Sequence, residues 1–391
     1  MYKILTLNKI APAGLSLFSH DNYETASEIT NPDAILLRSF KMNDMVLPEN
    51  LLAIARAGTG VNNIPVARCS EQGIVVFNTP GANSNAVKEM VIAGLLLSSR
   101  NIIGGINWLK TLAGKGSEFS ALIEQGKSRF AGPEILGKTL GVIGLGAIGR
   151  QVANAAEALG MKVIGYDPYI SVDSAWGLSR NVKKAKGLEN LLNESDYISM
   201  HVPLTDSTRE FLDKSRFMMM KNGARIMNFA RGELIRQADL LDALDNGKVA
   251  CYVTDFPNDN LLKHEKVICI PHLGASTPES ETNCAVMAVN QLREFLENGN
   301  ISNSVNFPAA EMASGNGFRL CIVNKNIPKM VGQITTVLAN ENVNIEEMLN
   351  RHHEDIAYNI INVNQAISQK QVEAIKNING VIRVRVIHTS K

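Results

Sequence analysis

The chain lacks the cysteine pattern of a disulfide-linked or zinc-bound protein. Its 391 residues contain five cysteines, an odd number, and no two of them form a CxxC pair. Disulfide frameworks and structural zinc sites need paired or clustered cysteines, so neither is expected here. We therefore predict reduced thiols, a cytoplasmic location and no metal centre.

Long hydrophobic runs and an excess of one charge are missing as well. No apolar run approaches the roughly 18 residues expected of a membrane helix. The opening residues MYKILTLNKIAPAG alternate like a strand and do not resemble a secretion signal. Lys and Arg number 39 against 38 Asp and Glu, which gives a net charge of +1. Neither nucleic acid nor a membrane is therefore expected as a partner.

The middle of the chain alternates short apolar runs with amphipathic segments. The apolar runs from Thr139 onward are TLGVIG, KVIGYD, YISMHV, RIMNFA, VACYVTD and VICIPH. Such unbroken runs are typical of strands buried on both faces, and the segments between them are long enough for crossover helices. The pattern predicts a doubly wound α/β domain with a parallel sheet between about residues 100 and 290.

The flanking regions predict two further units. Near the N-terminus, ILTL, AILLRS, AIARAG and IVVFNT repeat the alternation on a smaller scale. The segment AVKEMVIAGLLLSSRNIIGGINWLK predicts one long helix, and SVNFPAAEMASGNG predicts a linker. The C-terminal residues follow a βαββαβ order, which predicts an independent ferredoxin-like domain with Arg383 and Arg385 on the solvent face of its last strand.

A glycine-rich turn follows the first strand of the middle region. Gly144, Gly146 and Gly149 form a GxGxxG motif at the start of a helix, and Asp167 ends the next strand. In a dinucleotide site such glycines allow a tight turn, close approach of the pyrophosphate and close helix packing, while the acidic residue binds ribose hydroxyls. Because a carboxylate repels a 2′-phosphate, the motif favours NAD over NADP.

Six motifs, in order, resemble those of the NAD-dependent D-2-hydroxyacid dehydrogenases: RAGTGVNNI, NTPGANS, GKTLGVIGLGAIG, HVPLTDST, NFARGELI and CIPHLGAST. The C-terminal part resembles the ACT domain, a regulatory module that binds amino acids. The resemblance implies a Rossmann NAD-binding domain (99–290) inserted in a flavodoxin-like substrate-binding domain (1–98 and 291–310). An ACT domain (318–391) would follow, and the active site would lie in the cleft between the first two domains.

The resemblance gives the catalytic roles to two residues. Arg231 would bind the substrate carboxylate and polarise the carbonyl, and His272 would exchange the proton on the C2 oxygen during hydride transfer. The residue types suit this chemistry, because a guanidinium presents a planar fork of donors and an imidazole changes protonation near neutral pH.

The resemblance also implies binding residues for the two ligands. Arg38 would bind a phosphate of the substrate, and the other substrate-binding positions are Ser39, Gly60, Val61 and Asn62. The cofactor-binding positions are Thr79, Gly144, Gly146, Ala147, Ile148, Gly149, Asp167, His201, Val202, Pro203, Phe229, Ala230, Asp255 and Gly274.

Two places depart from the family pattern. The family has a Glu five residues after Asp255, where it supports the catalytic His, but this chain has Asn260. The neighbouring Asp259 would serve only if the loop shifts, so we expect a tuned rate and pH profile without loss of the reaction. In the ACT region, Asn326 and Asn344 match an effector site. Lys329 replaces the glycine of its turn, which weakens the prediction that serine is the effector.

The resemblance predicts a dehydrogenase of the short type that acts as a homo-oligomer, either a dimer or a tetramer. The expected reaction is NAD-dependent oxidation of D-3-phosphoglycerate to 3-phosphohydroxypyruvate, the entry to serine synthesis. Other activities of the family stay open, namely reduction of glyoxylate or hydroxypyruvate and oxidation of erythronate 4-phosphate. A protein that senses NAD without catalysis is a further alternative.

Overall fold

The computed structural model describes residues 1–313, 315 and 317–389. Four residues fall outside this part of the chain: Ser314 and Asn316 of the expected linker, and Ser390 and Lys391 of the expected C-terminal domain.

The chain divides into two compact units. The first comprises Met1–Asn83 and Pro278–Lys391, and the second comprises Ser84–Thr277. The second unit is therefore inserted into the first. The boundaries between the two units fall directly before the helices that start at Ser84 and Pro278. The sequence predicts these domain boundaries after residues 98 and 290.

A five-stranded parallel sheet forms the N-terminal part of the first unit. Its elements are β1 Tyr2–Leu7, α1 Pro12–Leu15, β2 Tyr23–Ala26, β3 Ala34–Leu37, β4 Ala53–Arg56, α2 Val66–Glu71 and β5 Val75–Phe77. The strand order is β2-β1-β3-β4-β5, with all neighbours parallel. The second α/β unit predicted from the sequence is confirmed. The polar strand β2 (YETA) has no counterpart in that prediction.

A long helix and an antiparallel sheet complete the first unit. These elements are α12 Pro278–Asn298, β13 Gly317–Lys325, α13 Met330–Asn340, β14 Ile345–His353, β15 Ile356–Val363, α14 Gln369–Lys376 and β16 Val381–Thr389. The strand order is β14-β15-β13-β16, all antiparallel. Helices α13 and α14 pack on one face through Ile334, Leu338 and Ile375. The βαββαβ order of a ferredoxin-like domain is therefore confirmed.

This C-terminal sheet is not independent of the rest of the first unit, contrary to the sequence prediction. The hydroxyl of Tyr358 donates to the carbonyl of Gly299 at 2.6 Å, and its ring packs edge-on against Phe307, with ring centroids 6.2 Å apart. Ile301 and Ala310 exchange backbone hydrogen bonds of 2.8 and 3.0 Å. Phe307, Ala310 and Met312 of the expected linker therefore lie in a hydrophobic core shared by both sheets.

Arg383 and Arg385 also differ from the prediction of a solvent-facing pair. Arg385 donates to the carbonyl oxygens of Phe295 and Leu296, the latter at 2.8 Å. Arg383 donates to the carbonyl of Glu49 at 3.0 Å and to that of Leu51. The alternation of VIRVRVI predicts a solvent face, but both faces of the sheet are covered. The arginines there bind main-chain carbonyls.

The second unit contains a seven-stranded sheet. Its elements are α3 Ser84–Ser99, α4 Ile102–Thr111, α5 Phe119–Gly126, β6 Thr139–Ile143, α6 Ala147–Ala158, β7 Lys162–Tyr166, α7 Val172–Trp176, β8 Lys183–Lys184, α8 Leu188–Glu194, β9 Tyr197–Met200, α9 Lys214–Met219, β10 Ala224–Asn228, α10 Gln237–Asp245, β11 Val249–Thr254, α11 Asp259–Leu262 and β12 Val267–Cys269. The strand order is β12-β11-β10-β9-β6-β7-β8. All its strand pairs are parallel, which confirms the doubly wound α/β prediction.

The segment predicted as one long helix is two helices. α3 and α4 meet at an angle of 63°. The side chain of Asn101 accepts from the backbone N–H of Gly104 at 3.1 Å, so it caps a new helix after Arg100. No single helix in the described part of the chain has the length and apolar character to cross a membrane. The bent pair α3 and α4 reaches those criteria only when taken together.

Candidate active site

The predicted site residues of the second unit follow successive strands of its sheet. Because neighbouring strands are parallel, their carboxyl ends lie along one edge, where open α/β sheets bind ligands. The candidates and the strands that they follow are Gly144 after β6, Asp167 after β7, His201 after β9, Arg231 after β10, Asp255 after β11 and His272 after β12.

The glycine loop has the geometry that its motif predicts. Gly144 has a φ of +88°, and a Cβ there would lie 2.7 Å from the carbonyl oxygen of His201. A Cβ on Gly149 would lie 1.9 Å from the carbonyl oxygen of Gly144. A Cβ on Gly146, the N-cap residue of α6, would meet no atom within 4 Å. The loop therefore leaves open space where a pyrophosphate would approach bare backbone and a helix N-terminus.

Asp167 holds the glycine loop through its carboxylate. One oxygen accepts from the backbone N–H of Leu145 at 2.9 Å, and the other accepts from that of Tyr169 at 2.9 Å. A carboxylate at this end of β7 is an acceptor for ribose hydroxyls. The donor and acceptor set of the loop fits a dinucleotide.

His201 lies beside the glycine loop as a neutral ring. Its Nε2 is 2.8 Å from the hydroxyl oxygen of Ser199, and its Cδ2 would be 3.4 Å from a Cβ on Gly149. Burial lowers the pKa of His201 to about 3. A ring that stays neutral at physiological pH is suited to lining the loop and poorly suited to cycling a proton.

Arg231 extends from a loop braced by Asn228. The side-chain amide of Asn228, which is fully buried, donates to the carbonyl of Arg231 at 2.8 Å and accepts from the N–H of Ala230 at 3.1 Å. The guanidinium of Arg231 is half-buried and donates to the carbonyl of Ala230 at 2.6 Å. Asn228 was not among the predicted site residues, although it begins the NFARGE motif that carried Arg231.

Asp255 is a buried carboxylate beside the two catalytic candidates. It is 1% exposed, and its Oδ2 accepts from the N–H of Gly274 at 3.1 Å. Burial raises its pKa, while the Gly274 hydrogen bond and the charges of His272 and Arg231 oppose the rise. Its Oδ1 has no hydrogen-bond partner within the described part of the chain. A buried acceptor in this state fits a ligand that brings N–H donors, such as the carboxamide of a nicotinamide.

Among the residues that the structure describes, no carboxylate forms a hydrogen bond or an ion pair with His272, although the charge of Asp255 acts on it. Its ring is exposed and contacts Phe256 edge-on, with ring centroids 4.9 Å apart. Asn260 is exposed in α11, and Asp259 is exposed in the first turn of the same helix. Neither side chain is bonded to His272, so the loop shift that would bring in Asp259 does not occur. The imidazole therefore lacks the hydrogen-bonded carboxylate that the family pattern implies.

The predicted substrate-binding residues and one cofactor-binding candidate lie along the carboxyl edge of the five-stranded sheet. Arg38 and Ser39 follow β3, and the loop with Gly60, Val61 and Asn62 follows β4. The cofactor-binding candidate Thr79 follows β5. The side chain of Arg56 donates to the carbonyls of Arg38 and Gly60 and so joins the first two of these segments. The hydroxyl of Thr79 is buried and has no hydrogen-bond partner in the described residues, and its N–H donates to the carbonyl of Gly58.

The effector candidates flank two strands of the C-terminal sheet, Asn326 directly after β13 and Asn344 directly before β14. The N–H of Asn326 donates to the carbonyl of Asp355 at 2.8 Å, and its side chain donates to the carbonyl of Glu354 at 3.2 Å. The N–H of Asn344 donates to the side chain of Asn364 at 3.2 Å. Lys329 has a φ of +73°, a left-handed conformation that favours glycine. The backbone at Lys329 therefore has a conformation that a glycine would adopt without strain, with a lysine side chain added to it.

Residues 93–274 match the family model described as the NAD-binding domain of D-isomer specific 2-hydroxyacid dehydrogenases. The second unit is therefore similar to the NAD-binding domain of those enzymes, and the chain has their Rossmann-like α/β fold.

Particular relatives are phosphoglycerate dehydrogenases. D-3-phosphoglycerate dehydrogenase of Methanocaldococcus jannaschii is 36% identical over 83% of this chain, which spans 61% of that protein. D-3-phosphoglycerate dehydrogenase 1 of Saccharomyces cerevisiae is 28% identical, with 99% of this chain and 87% of the relative aligned. The crystal structure of NAD⁺-bound 3-phosphoglycerate dehydrogenase of Entamoeba histolytica is 27% identical, with a TM-score of 0.62. It covers 78% of this chain and 98% of its own.

Proposed function

We propose that the protein is an NAD-dependent D-2-hydroxyacid dehydrogenase that oxidises D-3-phosphoglycerate to 3-phosphohydroxypyruvate at the entry to serine biosynthesis. The observation that carries the proposal is the row of strand ends in the second unit. There the glycine loop, Asp167, Arg231, the buried Asp255 and His272 follow neighbouring parallel strands. The similarity to D-3-phosphoglycerate dehydrogenases supports the choice of substrate.

Each residue in that row has a chemical task. Arg231 binds the substrate carboxylate through its planar fork and places positive charge beside the C2 oxygen. His272 takes the hydroxyl proton as the C2–O bond becomes a carbonyl, and it returns that proton in the reverse direction. The half-buried position of Arg231 limits the water around it, which strengthens its attraction to the carboxylate.

The cofactor would be held by the glycine loop, Asp167 and Asp255. The backbone N–H groups at the start of α6 would bind the pyrophosphate, the Asp167 carboxylate would accept from the ribose, and the Oδ1 of Asp255 would accept from the carboxamide. NAD, when bound, supplies the acceptor for the hydride that leaves C2. The negative charge of Asp167 supports NAD over NADP because it would face a 2′-phosphate.

The remaining roles follow the same interpretation. Residues 1–98 and 291–310 would form the substrate-binding domain, 99–290 the NAD-binding domain, and 318–391 an ACT domain of a short-type enzyme. Serine would be the first effector to test at Asn326 and Asn344. Cysteines that are all unpaired in the described chain support a reducing compartment such as the cytoplasm.

Helix α4 supports a homo-oligomer, either a dimer or a tetramer. It has no buried residue, and Ile102, Ile103, Ile106 and Leu109 are each at least 40% exposed. Apolar side chains concentrated on one exposed helix usually mark an association surface. The proposed occupant is the same helix of a second copy, so dilution should shift the oligomer toward monomers in sedimentation experiments.

One observation favours a second candidate, an NAD-binding sensor without catalysis. Within the described residues His272 has no carboxylate partner, and Asn260 stands where the family has a Glu. Without that carboxylate, the positive charge of the imidazolium would be less well stabilised, and proton exchange with the substrate would be slower.

A substrate panel tests the proposal. Purified protein with NAD should form NADH from D-3-phosphoglycerate at a higher kcat/KM than from D-glycerate, glycolate or 4-phosphoerythronate. A preference for 4-phosphoerythronate or for an unphosphorylated acid would replace the proposed substrate. Tight NADH binding with no turnover of any compound, in either direction, would support the sensor.

A further inference from the structure

The predicted phosphate-binding arginine is already paired with an acidic residue. Nη1 of Arg38 lies 2.7 Å from Oε1 of Glu281, and the two side chains are 38% and 45% exposed. Arg38 follows β3, and Glu281 lies in the first turn of α12. Both residues belong to the first unit. The sequence did not indicate this pair, because its members are far apart in the chain.

The main chain at Arg38 is fixed by polar side chains. Its carbonyl accepts from Nε of Arg56 at 2.9 Å and from Nδ2 of the buried Asn63 at 3.3 Å. Oδ1 of Asn8 accepts from the next N–H, that of Ser39, at 3.1 Å. The guanidinium therefore extends from an anchored position, so its ion pair can exchange without movement of the strand end.

We propose that Glu281 is a specificity-determining counter-ion that competes with the substrate phosphate for Arg38. The inference rests on the proposed function and adds a residue to it. A phosphate dianion carries more charge than a carboxylate and offers three acceptor oxygens, so it can replace Glu281 at the guanidinium. Glu281 pairs with Arg38 again when the phosphorylated product leaves.

The exchange distinguishes phosphorylated from unphosphorylated acids. A neutral hydroxymethyl group, as in D-glycerate, cannot displace a carboxylate from a guanidinium. For such a substrate the pair stays closed and Glu281 has no effect on binding. For a phosphorylated substrate, Glu281 adds a cost to binding and shortens the time that the product stays bound.

The experiment measures KM for D-3-phosphoglycerate in Glu281→Gln at low ionic strength. Gln keeps the shape of the side chain without its charge, so KM should fall about two- to fivefold, as expected for loss of an exposed ion pair. The kcat should stay unchanged or fall, because the product is held longer. The KM for D-glycerate should not change.

The matched control is Glu279→Gln, which removes the same charge from the same turn. Glu279 is exposed and forms no ion pair within the described chain. The KM of Glu279→Gln should therefore match that of the native protein. Glu281→Asp keeps the negative charge, so it should not lower KM as Glu281→Gln does. In an Arg38→Ala background, Glu281→Gln should no longer lower KM, because the guanidinium for which Glu281 and the phosphate compete is gone.

Three results would overturn the inference while leaving the proposed function in place: an unchanged KM in Glu281→Gln, a raised KM, or an equal fall in Glu279→Gln. A raised KM would mean that Glu281 orients Arg38. If the native protein does not oxidise D-3-phosphoglycerate, the proposed function fails separately. Calorimetric titration with inorganic phosphate then tests the pair, and Glu281→Gln should bind phosphate more tightly than the native protein and Glu279→Gln.

Discussion

At the scale of single residues, the site depends on polar groups whose burial sets their protonation. His201 and Asp255 follow strands β9 and β11 of the same sheet, and burial favours the neutral form of each side chain. For Asp255, the hydrogen bond from Gly274 and the charges of His272 and Arg231 oppose the rise in pKa that burial causes. For His201, burial is the only cause of the lowered pKa.

The lowered pKa of His201 predicts a loss of stability in mild acid. The folded ring has a pKa of about 3 against an ordinary value of 6.5. Below the ordinary value the unfolded chain therefore takes up a proton that the folded chain does not, and stability falls as the pH drops. Between pH 7 and pH 5 this residue should cost about 1–2 kcal/mol of the free energy of unfolding.

Urea unfolding of His201→Gln at both pH values measures this contribution. The variant should lose less stability than the native protein over the same pH interval. The control is His20→Gln, which changes an exposed histidine and should leave the pH dependence as it is. An identical pH dependence in His201→Gln and the native protein would show that the ring takes up a proton in the folded chain as readily as in the unfolded chain.

The sequence located the candidate residues of the site but not the contacts that hold them. Gly144, Asp167, Arg231 and His272 could be predicted because motif and strand end coincide. The brace at Asn228 and the ion pair of Arg38 with Glu281 could not be predicted in the same way. Such contacts depend on the distance between side chains in the folded chain, and no local pattern records it.

At the scale of elements, strands were predicted more reliably than helix breaks or solvent faces. Unbroken apolar runs mark the buried parallel strands, and all the predicted ones are present. The break between α3 and α4 depends on one cap at Asn101, which an apolar pattern does not register. In β16, period-two alternation predicts a solvent face only where that face is uncovered.

The partial burial of Arg385 and its contacts with α12 predict a structural role for β16. Its guanidinium donates to the last carbonyls of α12 and lies 4.7 Å from the ring centroid of Phe295. Arg385→Ala would leave those carbonyls without their charged donor. We expect it to lower the free energy of unfolding by about 1–3 kcal/mol.

The matched control is Arg351→Ala, which removes an exposed arginine of β14. It should change the free energy of unfolding by no more than about 0.5 kcal/mol. Equal effects of the two variants in denaturant titrations would mean that Arg385 faces solvent, as the sequence alone predicted.

At the scale of the whole molecule, the C-terminal sheet and the N-terminal sheet are parts of one compact unit. Tyr358, Phe307 and Ile387 belong to the same core as the parallel strands β1 and β3. The sequence predicted a separate domain because Ser, Asn, Gly and Pro are frequent between residues 304 and 317. Composition indicates a loop there, but it does not show whether the loop is free or packed. Here Phe307 and Met312 are buried.

The central claim also concerns the whole molecule. It is the proposal that the chain catalyses hydride transfer to NAD while His272 exchanges the proton. The claim combines the match of residues 93–274 to an NAD-binding domain with the proposed catalytic residues Arg231 and His272, which follow β10 and β12 of one parallel sheet. An exposed imidazole without a carboxylate partner in the described chain can still exchange a proton with the substrate hydroxyl, because its nitrogens are free of competing bonds.

The most direct test is the absorbance of NADH formed from NAD and D-3-phosphoglycerate by the native protein, by His272→Gln and by His353→Gln. The native protein and His353→Gln, which changes an exposed histidine of β14, should turn over equally. His272→Gln should lose about a hundredfold or more in kcat while still binding NADH. Equal turnover by His272→Gln would contradict the account, since the proton would then leave by a route that does not use this residue.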